Sequence, residues 1–363
     1  MVKPRPQVDA MTLYTPGRSL EDARQASGRK EMVKLASNES LWGPSPSVIT
    51  AIQEALPHLQ YYPAVQEPRL REVLAIRHGL KPGQIVMGNG ADEMLRLVAA
   101  AFVSVGDEVL YPAPSFSAYR HSTLLAGGVP KEVPLAGNGA NDLEAMCRAI
   151  TERTRVVYLC SPNNPTGTPV TLEAWQRYLA EVPEHVVTVV DAAYEEFVAG
   201  PEMPDFLGAV RQDRAIVVVR TFSKLYALAG LRTGWATAPE WLMPALLKVR
   251  EPFSLNSLGA VAAEAALKDS DYYGRVRQET LEARAFLLDA LSQRGHQFFE
   301  SQANFVTAAL PVGVSDVPNQ LMAEGFVVRP TDAFGLPQHI RVTVAPQPIL
   351  EEFLTAFDRV LAQ

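Results

Sequence analysis

Residues 215–234 read AIVVVRTFSKLYALAGLRTG and hold the main evidence for the fold. The segment begins with a valine-rich run in which apolar residues follow one another without alternating with polar ones. A strand whose two faces are both covered by helices has this composition. The run leads into a loop that carries Thr221, Ser223 and Lys224, with Arg232 eight residues after the lysine. We therefore expect a buried strand that delivers hydroxyl, amine and guanidinium groups to its carboxyl end.

Similar apolar runs occur upstream, and segments with helical periodicity separate several of them. The runs are QIVMG at 84–88, DEVLYP at 107–112, RVVYLC at 155–160 and HVVTVVD at 185–191. The periodicity predicts helices over Asp92–Ser104, Ser115–Leu125 and Leu172–Val182. This alternation predicts an α/β domain with a largely parallel sheet.

After about residue 252 the pattern changes. Two long helical stretches, Leu258–Lys268 and Tyr272–Gln293, precede three alternating runs, NFVTAAL, GFVVRP and HIRVTVA. Helices followed by short strands predict a smaller α+β domain. The first 40 residues have weak periodicity and several turn-forming residues, namely Pro4, Pro6, Pro16 and Gly17. This composition predicts an arm that lies over the body of the protein or over a neighbouring subunit. The predicted division is an arm at 1–40, a large domain at 41–252 and a small domain at 253–363.

Composition excludes several classes of protein. The chain has 363 residues, of which 47% are hydrophobic and 20% charged, as is typical of a globular protein with a sizeable core. Its net charge of −7 without a basic stripe argues against nucleic acid as a partner. No apolar stretch has the length of a membrane span or resembles a signal peptide, so we expect a cytoplasmic protein. Cys147 and Cys160 lack metal-ligand spacing, and no histidine pair resembles a metal motif, so no metal site is expected.

The lysine loop, residues 221–232, carries the chemistry that can be derived from the residues alone. Open α/β sheets bind ligands at the carboxyl ends of their strands. A lysine there, desolvated and close to cationic groups, has a lowered pKa and offers a neutral amine as a nucleophile. Arg232 supplies a planar fork suited to a phosphate. A lysine that follows a strand is more often a solvated loop residue, but the order hydroxyl, hydroxyl, lysine, arginine favours a functional site.

The segment TFSKLYALAGLR resembles the cofactor-lysine segment of fold type I aminotransferases, and most of all the histidinol-phosphate aminotransferase family. The resemblance spans nearly the whole chain. It implies pyridoxal 5'-phosphate (PLP) as the cofactor, bound as a Schiff base to Lys224, with Thr221, Ser223 and Arg232 among the cofactor contacts. It also implies an α/β fold of type I, in which helices sandwich a mostly parallel seven-stranded sheet and a small α+β domain follows.

Two further strand ends agree with this resemblance. HVVTVVDAAY ends a strand at Asp191, which the family places against the pyridine nitrogen, and Tyr194 would bond the ring oxygen. Without context, Asp191 could equally be a helix cap. Ala192 stands where the family usually has glutamate, and this departure leaves the aspartate intact. In SPNNPTG, the resemblance gives Asn164 a bond to the same ring oxygen, although proline and glycine alone would explain a turn.

IVMGNGADEMLRLV reads as strand, glycine turn and helix. The amides of Gly90, Ala91 and Asp92 would form an anion site at a helix N-terminus, which the resemblance makes the cradle of the cofactor phosphate. GNGADE lacks the third glycine of a dinucleotide fingerprint. Phe116 occupies the position of the family's aromatic residue stacked on the pyridine ring, although an isolated phenylalanine is more often part of a core.

The remaining residues that the resemblance implies are contacts to substrate or to a second subunit. Arg341 would clamp the carboxylate of glutamate or the phosphate of histidinol phosphate, and Arg329 would be a second phosphate contact. Asn38 and Glu39, in LASNES, would line the substrate side. The tyrosine before the proline of LQYYPAV, Tyr62, would reach the cofactor phosphate of a neighbouring subunit, which implies a homodimer.

The favoured hypothesis is an aminotransferase that converts L-histidinol phosphate and 2-oxoglutarate to imidazole-acetol phosphate and L-glutamate in histidine biosynthesis. Its partners would be a small-molecule amino donor and a keto acceptor. An aromatic amino-acid aminotransferase and a threonine-phosphate decarboxylase share the scaffold and stay open. A regulatory protein with the PLP fold is disfavoured, because it would need a DNA-binding extension. A nicotinamide dehydrogenase is disfavoured, because it would not explain why Lys224, Arg232, Asp191 and Asn164 occur together.

Overall fold

The computed structural model describes residues 2–13, 17–200, 203–314 and 316–362. Pro16, one of the residues assigned to the predicted arm, lies outside the described residues. Within the described residues the central sheet has seven strands, in the order Ile85–Gly88, Gly234–Thr237, Ile216–Thr221, Val187–Asp191, Thr154–Cys160, Glu108–Ala113 and Val129–Pro134. Strand Gly234–Thr237 runs antiparallel to its neighbours, and the other paired strands run parallel. The mostly parallel sheet predicted from the sequence is confirmed.

Both faces of the central sheet are buried, which explains why its strands lack alternation. Val217 and Val219 belong to the apolar cluster on one face, whereas Ile216 and Val218 belong to the cluster on the other. One cluster includes helices Ala91–Phe102, Ala118–Ala126 and Met243–Val249, and the other includes Leu143–Ala149, Leu172–Glu181 and Phe206–Arg211. A third cluster joins the sheet edge to helices Pro46–Ala55, Pro68–His78 and Ser257–Lys268.

The C-terminal part is built on a smaller antiparallel sheet. Its order is Arg329–Pro330, His339–Thr343 and Phe305–Ala309. Helices Ser270–Gln293, Val317–Ala323 and Gln347–Leu361 cover the sheet with an apolar cluster centred on residues such as Leu287, Phe353 and Phe357. The division into three segments at residues 40 and 252 stays a prediction.

The N-terminal segment is more ordered than its weak periodicity indicates. It contains helices Pro6–Asp9 and Leu20–Ser27, the second capped by the Ser19 hydroxyl, and strand Val33–Lys34. This strand pairs in parallel with Phe326–Val327 of the C-terminal part. The run GFVVRP, predicted as one strand, is therefore divided, because Phe326–Val327 and Arg329–Pro330 hydrogen-bond to different partners. No described helix is long and apolar enough to cross a membrane.

Candidate active site

A cavity of about 360 Å³ lies at the carboxyl ends of the central strands and extends to the smaller sheet. Its size is within the range of small-molecule sites. Most of the predicted site residues line it, namely Lys224, Asp191, Tyr194, Ala91, Asp92, Phe116, Asn164, Thr221, Ser223, Arg232, Arg341, Arg329, Asn38 and Glu39. The fold brings Asp191, Asn164 and Lys224 together because the parallel strands that precede them end at the same edge of the central sheet. The N-terminal segment and the smaller sheet contribute the remaining side chains, including Asn38, Arg329 and Arg341.

Lys224 is half-buried and follows strand Ile216–Thr221. Its Nζ donates to the Ser37 carbonyl at 3.3 Å and lies 5.5 Å from the centroid of the Tyr194 ring. Desolvation, and then the charge of Arg341, lower the pKa of the Lys224 amine to about 8. A neutral amine is therefore available near neutral pH, as a nucleophile requires.

Asp191 ends strand Val187–Asp191 and is almost fully buried. The Tyr119 hydroxyl donates to its Oδ2 at 2.8 Å, and the Ala193 amide donates to its Oδ1 at 3.2 Å. Desolvation raises the pKa of the Asp191 carboxyl to about 6, although the bond from Tyr119 opposes this shift. Asp191 can therefore carry a negative charge at neutral pH and face a cationic partner in the cavity.

Tyr119 was missed in the sequence. It lies three residues after Phe116 and forms an edge contact with that ring, with centroids 5.9 Å apart. Tyr119 is fully buried and also stacks on Tyr158 at 5.1 Å. Its spacing of three residues from Phe116, within the predicted helix Ser115–Leu125, was an available signal, but its contact with Asp191 joins residues far apart in the chain.

Tyr194 and Asn164 each receive a hydrogen bond that leaves them donors for the cavity. The Asn38 side-chain amide donates to the Tyr194 hydroxyl oxygen at 3.0 Å, so the tyrosine proton is left for another acceptor. Arg341 donates to the side-chain oxygen of Asn164, so the asparagine NH2 group is left as a donor. A ligand oxygen between Tyr194 and Asn164 would meet two donors.

The glycine turn, residues 88–91, leads directly into helix Ala91–Phe102. Gly90 is its N-cap with φ +88°, a conformation that favours glycine. A Cβ on Gly234 would lie 2.5 Å from the Gly90 carbonyl carbon and 2.6 Å from the Ala91 nitrogen, so only glycine permits this close approach. Arg232 donates to Asp92 at 3.3 Å beside the turn. Helix amides, hydroxyls and a guanidinium group therefore face one end of the cavity, a donor set suited to phosphate.

Arg341 and Arg329 enter the cavity from the smaller sheet. Arg341 is 5% exposed and donates to the Ala36 carbonyl at 2.8 Å, and Arg329 is 6% exposed. Both arginines are therefore buried in the cavity wall and are not exposed on the outer surface. Phe334, which sequence reasoning missed, lines the cavity beside them. Glu39 forms an ion pair with Lys34 at 2.8 Å.

Tyr62 lies elsewhere. Tyr62 is 81% exposed, and its ring stacks on Phe253 with a centroid separation of 4.7 Å. Among the residues that the structure describes, it is not one of those that line the cavity of its own chain. Among the described residues, no group of three or more His, Cys, Asp or Glu side chains could hold a metal ion.

Comparisons with known proteins agree with this geometry. The sequence pattern of the family "Aminotransferase class I and II" matches residues 30–357. A histidinol-phosphate aminotransferase of Moorella thermoacetica is 39% identical, covering 96% of this chain and 90% of its own. "Histidinol-phosphate aminotransferase 2" of Carboxydothermus hydrogenoformans is 40% identical, covering 98% of this chain and 99% of its own.

Solved structures share the fold. The histidinol-phosphate aminotransferase of Sinorhizobium meliloti in complex with pyridoxal-5'-phosphate has a TM-score of 0.89 and 27% identity, covering 100% of this chain and 98% of that one. A double mutant of the aspartate aminotransferase of Thermus thermophilus has a TM-score of 0.83 and 25% identity, and the match covers 99% of this chain and 100% of that one. The predicted fold type I architecture is therefore confirmed.

Proposed function

This chain belongs to the class I and II aminotransferase family, and we propose that it interconverts L-histidinol phosphate and imidazole-acetol phosphate, with 2-oxoglutarate and L-glutamate as the second pair. The relatives named for this activity support the proposal, because two of them are 39% and 40% identical over nearly the whole chain. The observation that carries it is the placement of Arg329 and Arg341, two almost fully buried cations that line the cavity containing Lys224.

The residues present fit pyridoxal 5'-phosphate. The donor set around Gly90, Arg232 and Ser223 would hold its phosphate, and the close packing of Gly234 on the turn preserves that donor set. Asp191 would pair with its pyridine nitrogen, and Phe116 would pack against the ring. A cavity of about 360 Å³ has room for such a group.

The chain's own residues would perform the proton transfers. Bound pyridoxal 5'-phosphate supplies an aldehyde for the substrate amine and a ring that accepts the electron pair left when the substrate Cα loses its proton. Lys224 would first hold the cofactor; once released, its amine would take the proton from Cα and return it at C4' of the cofactor. Asp191 would stabilise positive charge on the ring nitrogen, and Tyr194 and Asn164 would donate to the ring oxygen.

Arg341 and Arg329 would bind the anionic end of each substrate. Glutamate carries a carboxylate where histidinol phosphate carries a phosphate, and a guanidinium fork accepts both because their oxygens have similar spacing. Two arginines fit a phosphate better than the single carboxylate of phenylalanine. Substrate contacts by Asn38 and Glu39 stay predictions, as does the cytoplasmic location.

We also propose that the enzyme is a homodimer. Tyr62 and Phe253 form an exposed aromatic pair, and the two residues are 81% and 42% exposed. Exposed aromatic surface of this kind is typical of a protein interface. Because Tyr62 lies outside the cavity of its own chain, its predicted contact with the cofactor phosphate requires a second copy.

The test is a comparison of kcat/KM for three substrates with purified holoenzyme. With 2-oxoglutarate as acceptor, we expect kcat/KM for histidinol phosphate to exceed kcat/KM for phenylalanine. We expect no release of carbon dioxide when the enzyme is incubated with threonine phosphate. A preference of about tenfold or more for phenylalanine would identify an aromatic aminotransferase instead. Carbon dioxide release would identify the decarboxylase.

Two arginine variants refine this comparison. Arg341→Ala should reduce the transition-state stabilisation of both half-reactions by about 2 to 5 kcal/mol, because it removes the desolvated cation that pairs with the anionic group of each substrate. Arg329→Ala should reduce kcat/KM for histidinol phosphate more than for phenylalanine. Equal losses for both substrates at Arg329 would remove its phosphate assignment.

A further inference from the structure

The sequence SPNNPTG contains two asparagines, and only the second, Asn164, lines the cavity among the described residues. The first, Asn163, is completely buried. Its side-chain NH2 group donates to the Pro114 carbonyl at 3.2 Å and to the Thr166 hydroxyl oxygen at 3.0 Å, and its side-chain oxygen accepts from the Ser115 hydroxyl at 2.7 Å. The amide can take only this orientation, because a carbonyl requires a donor. Both N–H groups and the oxygen are therefore engaged within the protein.

The main chain of Asn163 closes the turn that follows Asn164. Its amide donates to the Thr168 carbonyl at 3.0 Å, and its carbonyl accepts from the Gly167 amide at 2.6 Å. Buried polar groups are costly to leave unpaired, so these bonds and those of the side chain favour a single conformation of the turn. The backbone from which Asn164 projects is held in place by them.

The two loops that Asn163 connects both reach the cavity. Ser115 directly precedes Phe116, which lines the cavity after strand Glu108–Ala113, and Asn163 directly precedes Asn164. The loops are 48 residues apart in the chain, measured between Ser115 and Asn163. The described pairing between the two strands that lead to them stops several residues before either loop. The bonds from Asn163 to Ser115 and its neighbour therefore connect the loops beyond the end of that pairing.

We propose that Asn163 is a positioning residue that holds Phe116 and Asn164 in register on the cofactor ring. The inference rests on the proposed cofactor, because Phe116 is assigned to packing on the pyridine ring and Asn164 to donation to the ring oxygen. It does not depend on the identity of the substrate. Loosening this connection displaces both side chains, which weakens the ring packing and the hydrogen bond together.

Two variants loosen the connection and two keep it. Asn163→Asp retains an acceptor for Ser115 but removes both N–H donors, whereas Ser115→Ala is a milder change that removes a single hydrogen bond. Ser115→Thr retains the hydroxyl and is the conservative variant. Thr168→Val is the matched control, because it removes a hydrogen bond of the same turn, from the Thr168 hydroxyl to the Asn138 carbonyl at 3.2 Å, that lies outside the Phe116 loop.

The first measurement is a pH titration of the absorbance of the holoenzyme, whose colour changes with protonation of the Schiff-base nitrogen. A donor to the ring oxygen draws negative charge from it and so lowers the pKa of that nitrogen. We expect the pH midpoint to rise by about 0.5 to 1 in Asn163→Asp and by less in Ser115→Ala. Ser115→Thr and Thr168→Val should keep the wild-type midpoint. A general loss of stability leaves the midpoint in place, because only molecules that retain the cofactor absorb.

The second measurement is the dissociation constant for pyridoxamine 5'-phosphate, which cannot form a Schiff base with Lys224. We expect it to rise about tenfold in Asn163→Asp and about threefold in Ser115→Ala. Wild-type midpoints and dissociation constants in these two variants would overturn the inference, and so would an equal effect in Thr168→Val. A wild type that prefers phenylalanine would refute the proposed substrate alone, since neither measurement uses a substrate.

Discussion

Lys224 and Asp191 illustrate how burial prepares single residues for chemistry. Burial disfavours the charged form of each, so the lysine pKa falls to about 8 and the aspartate pKa rises to about 6. The two pKa values lie on either side of pH 7. Tyr119 opposes the shift of Asp191 by donating to its carboxylate at 2.8 Å. The site thus keeps Asp191 ionised while it retains a fraction of neutral amine at Lys224.

The lowered pKa of Lys224 predicts how the cofactor-free protein takes up pyridoxal 5'-phosphate. Only the neutral amine attacks an aldehyde, and its fraction rises as pH rises through about 8 instead of through the ordinary lysine value of 10.5. The second-order rate of uptake, followed by absorbance, should increase with pH to a plateau with a midpoint near 8. Borohydride followed by mass spectrometry should place the label on Lys224, and Lys224→Ala should take up no label. A label on another lysine would refute the assignment.

Tyr119→Phe should alter the titration of Asp191. Loss of the hydroxyl removes a bond that lowers the Asp191 pKa, so that pKa should rise and the carboxylate should be protonated at higher pH. We expect the acid limb of the kcat profile to move to higher pH and cofactor affinity to fall. Tyr158→Phe is the matched control, because Tyr158 is equally buried and stacks on Tyr119 but donates to the Leu95 carbonyl at 2.9 Å. The same acid shift in both variants would count against a specific role for Tyr119.

Among the structural elements, the glycine turn and strand Gly234–Thr237 form one unit. The strand runs antiparallel to both neighbours, and its first residue packs directly against the turn that begins helix Ala91–Phe102. The helix amides can therefore face the cavity with no side chain between strand and turn. The shape of the phosphate-binding end depends on two glycines that belong to distant parts of the chain.

Gly234→Ala should displace the glycine turn. The added Cβ would lie 2.5 Å from the Gly90 carbonyl carbon, and a backbone atom cannot move aside as a flexible side chain can. We expect the dissociation constant for pyridoxal 5'-phosphate to rise at least about tenfold in a protein that still folds by circular dichroism. Gly274→Ala is the control, since it lies in helix Ser270–Gln293 with nothing within 4 Å and should be neutral or stabilising by about 0.5–1 kcal/mol. Wild-type cofactor affinity in Gly234→Ala would contradict this account.

At the scale of the whole molecule, the cavity draws on both ends of the chain. Its wall includes Asn38 from the N-terminal segment, Lys224 from the central sheet and Arg341 from the smaller sheet. Asn304 donates to the Asn38 carbonyl at 3.1 Å, which ties the N-terminal segment to the C-terminal part. The proposed dimer would add Tyr62 of a second copy.

Tyr62→Phe should test the contribution of a second subunit. If its hydroxyl donates to a charged phosphate across the interface, its loss should raise the cofactor dissociation constant about tenfold. Tyr61→Phe is the control, because Tyr61 is the adjacent tyrosine and is also exposed, at 67%. Sedimentation of the wild type at assay concentration should give a dimer. A fully active monomer would exclude both the dimer and this role of Tyr62.

The sequence by itself determined the sheet and the residues at its strand ends. Valine runs without alternation indicate a sheet buried on both faces, and parallel strands bring their carboxyl ends to one edge. That reasoning places Asp191, Asn164 and Lys224 together without any knowledge of distances. The resemblance in TFSKLYALAGLR then identified the family, which the comparison confirms over residues 30–357.

Only the tertiary structure decided which side chains support those residues. Tyr119 meets Asp191 through packing between segments that local patterns do not relate, because 72 residues separate them. The division of GFVVRP into two strands has the same origin, because each half pairs with a different part of the chain. Periodicity reports which face of an element is buried, whereas the neighbour that covers it depends on how distant elements pack.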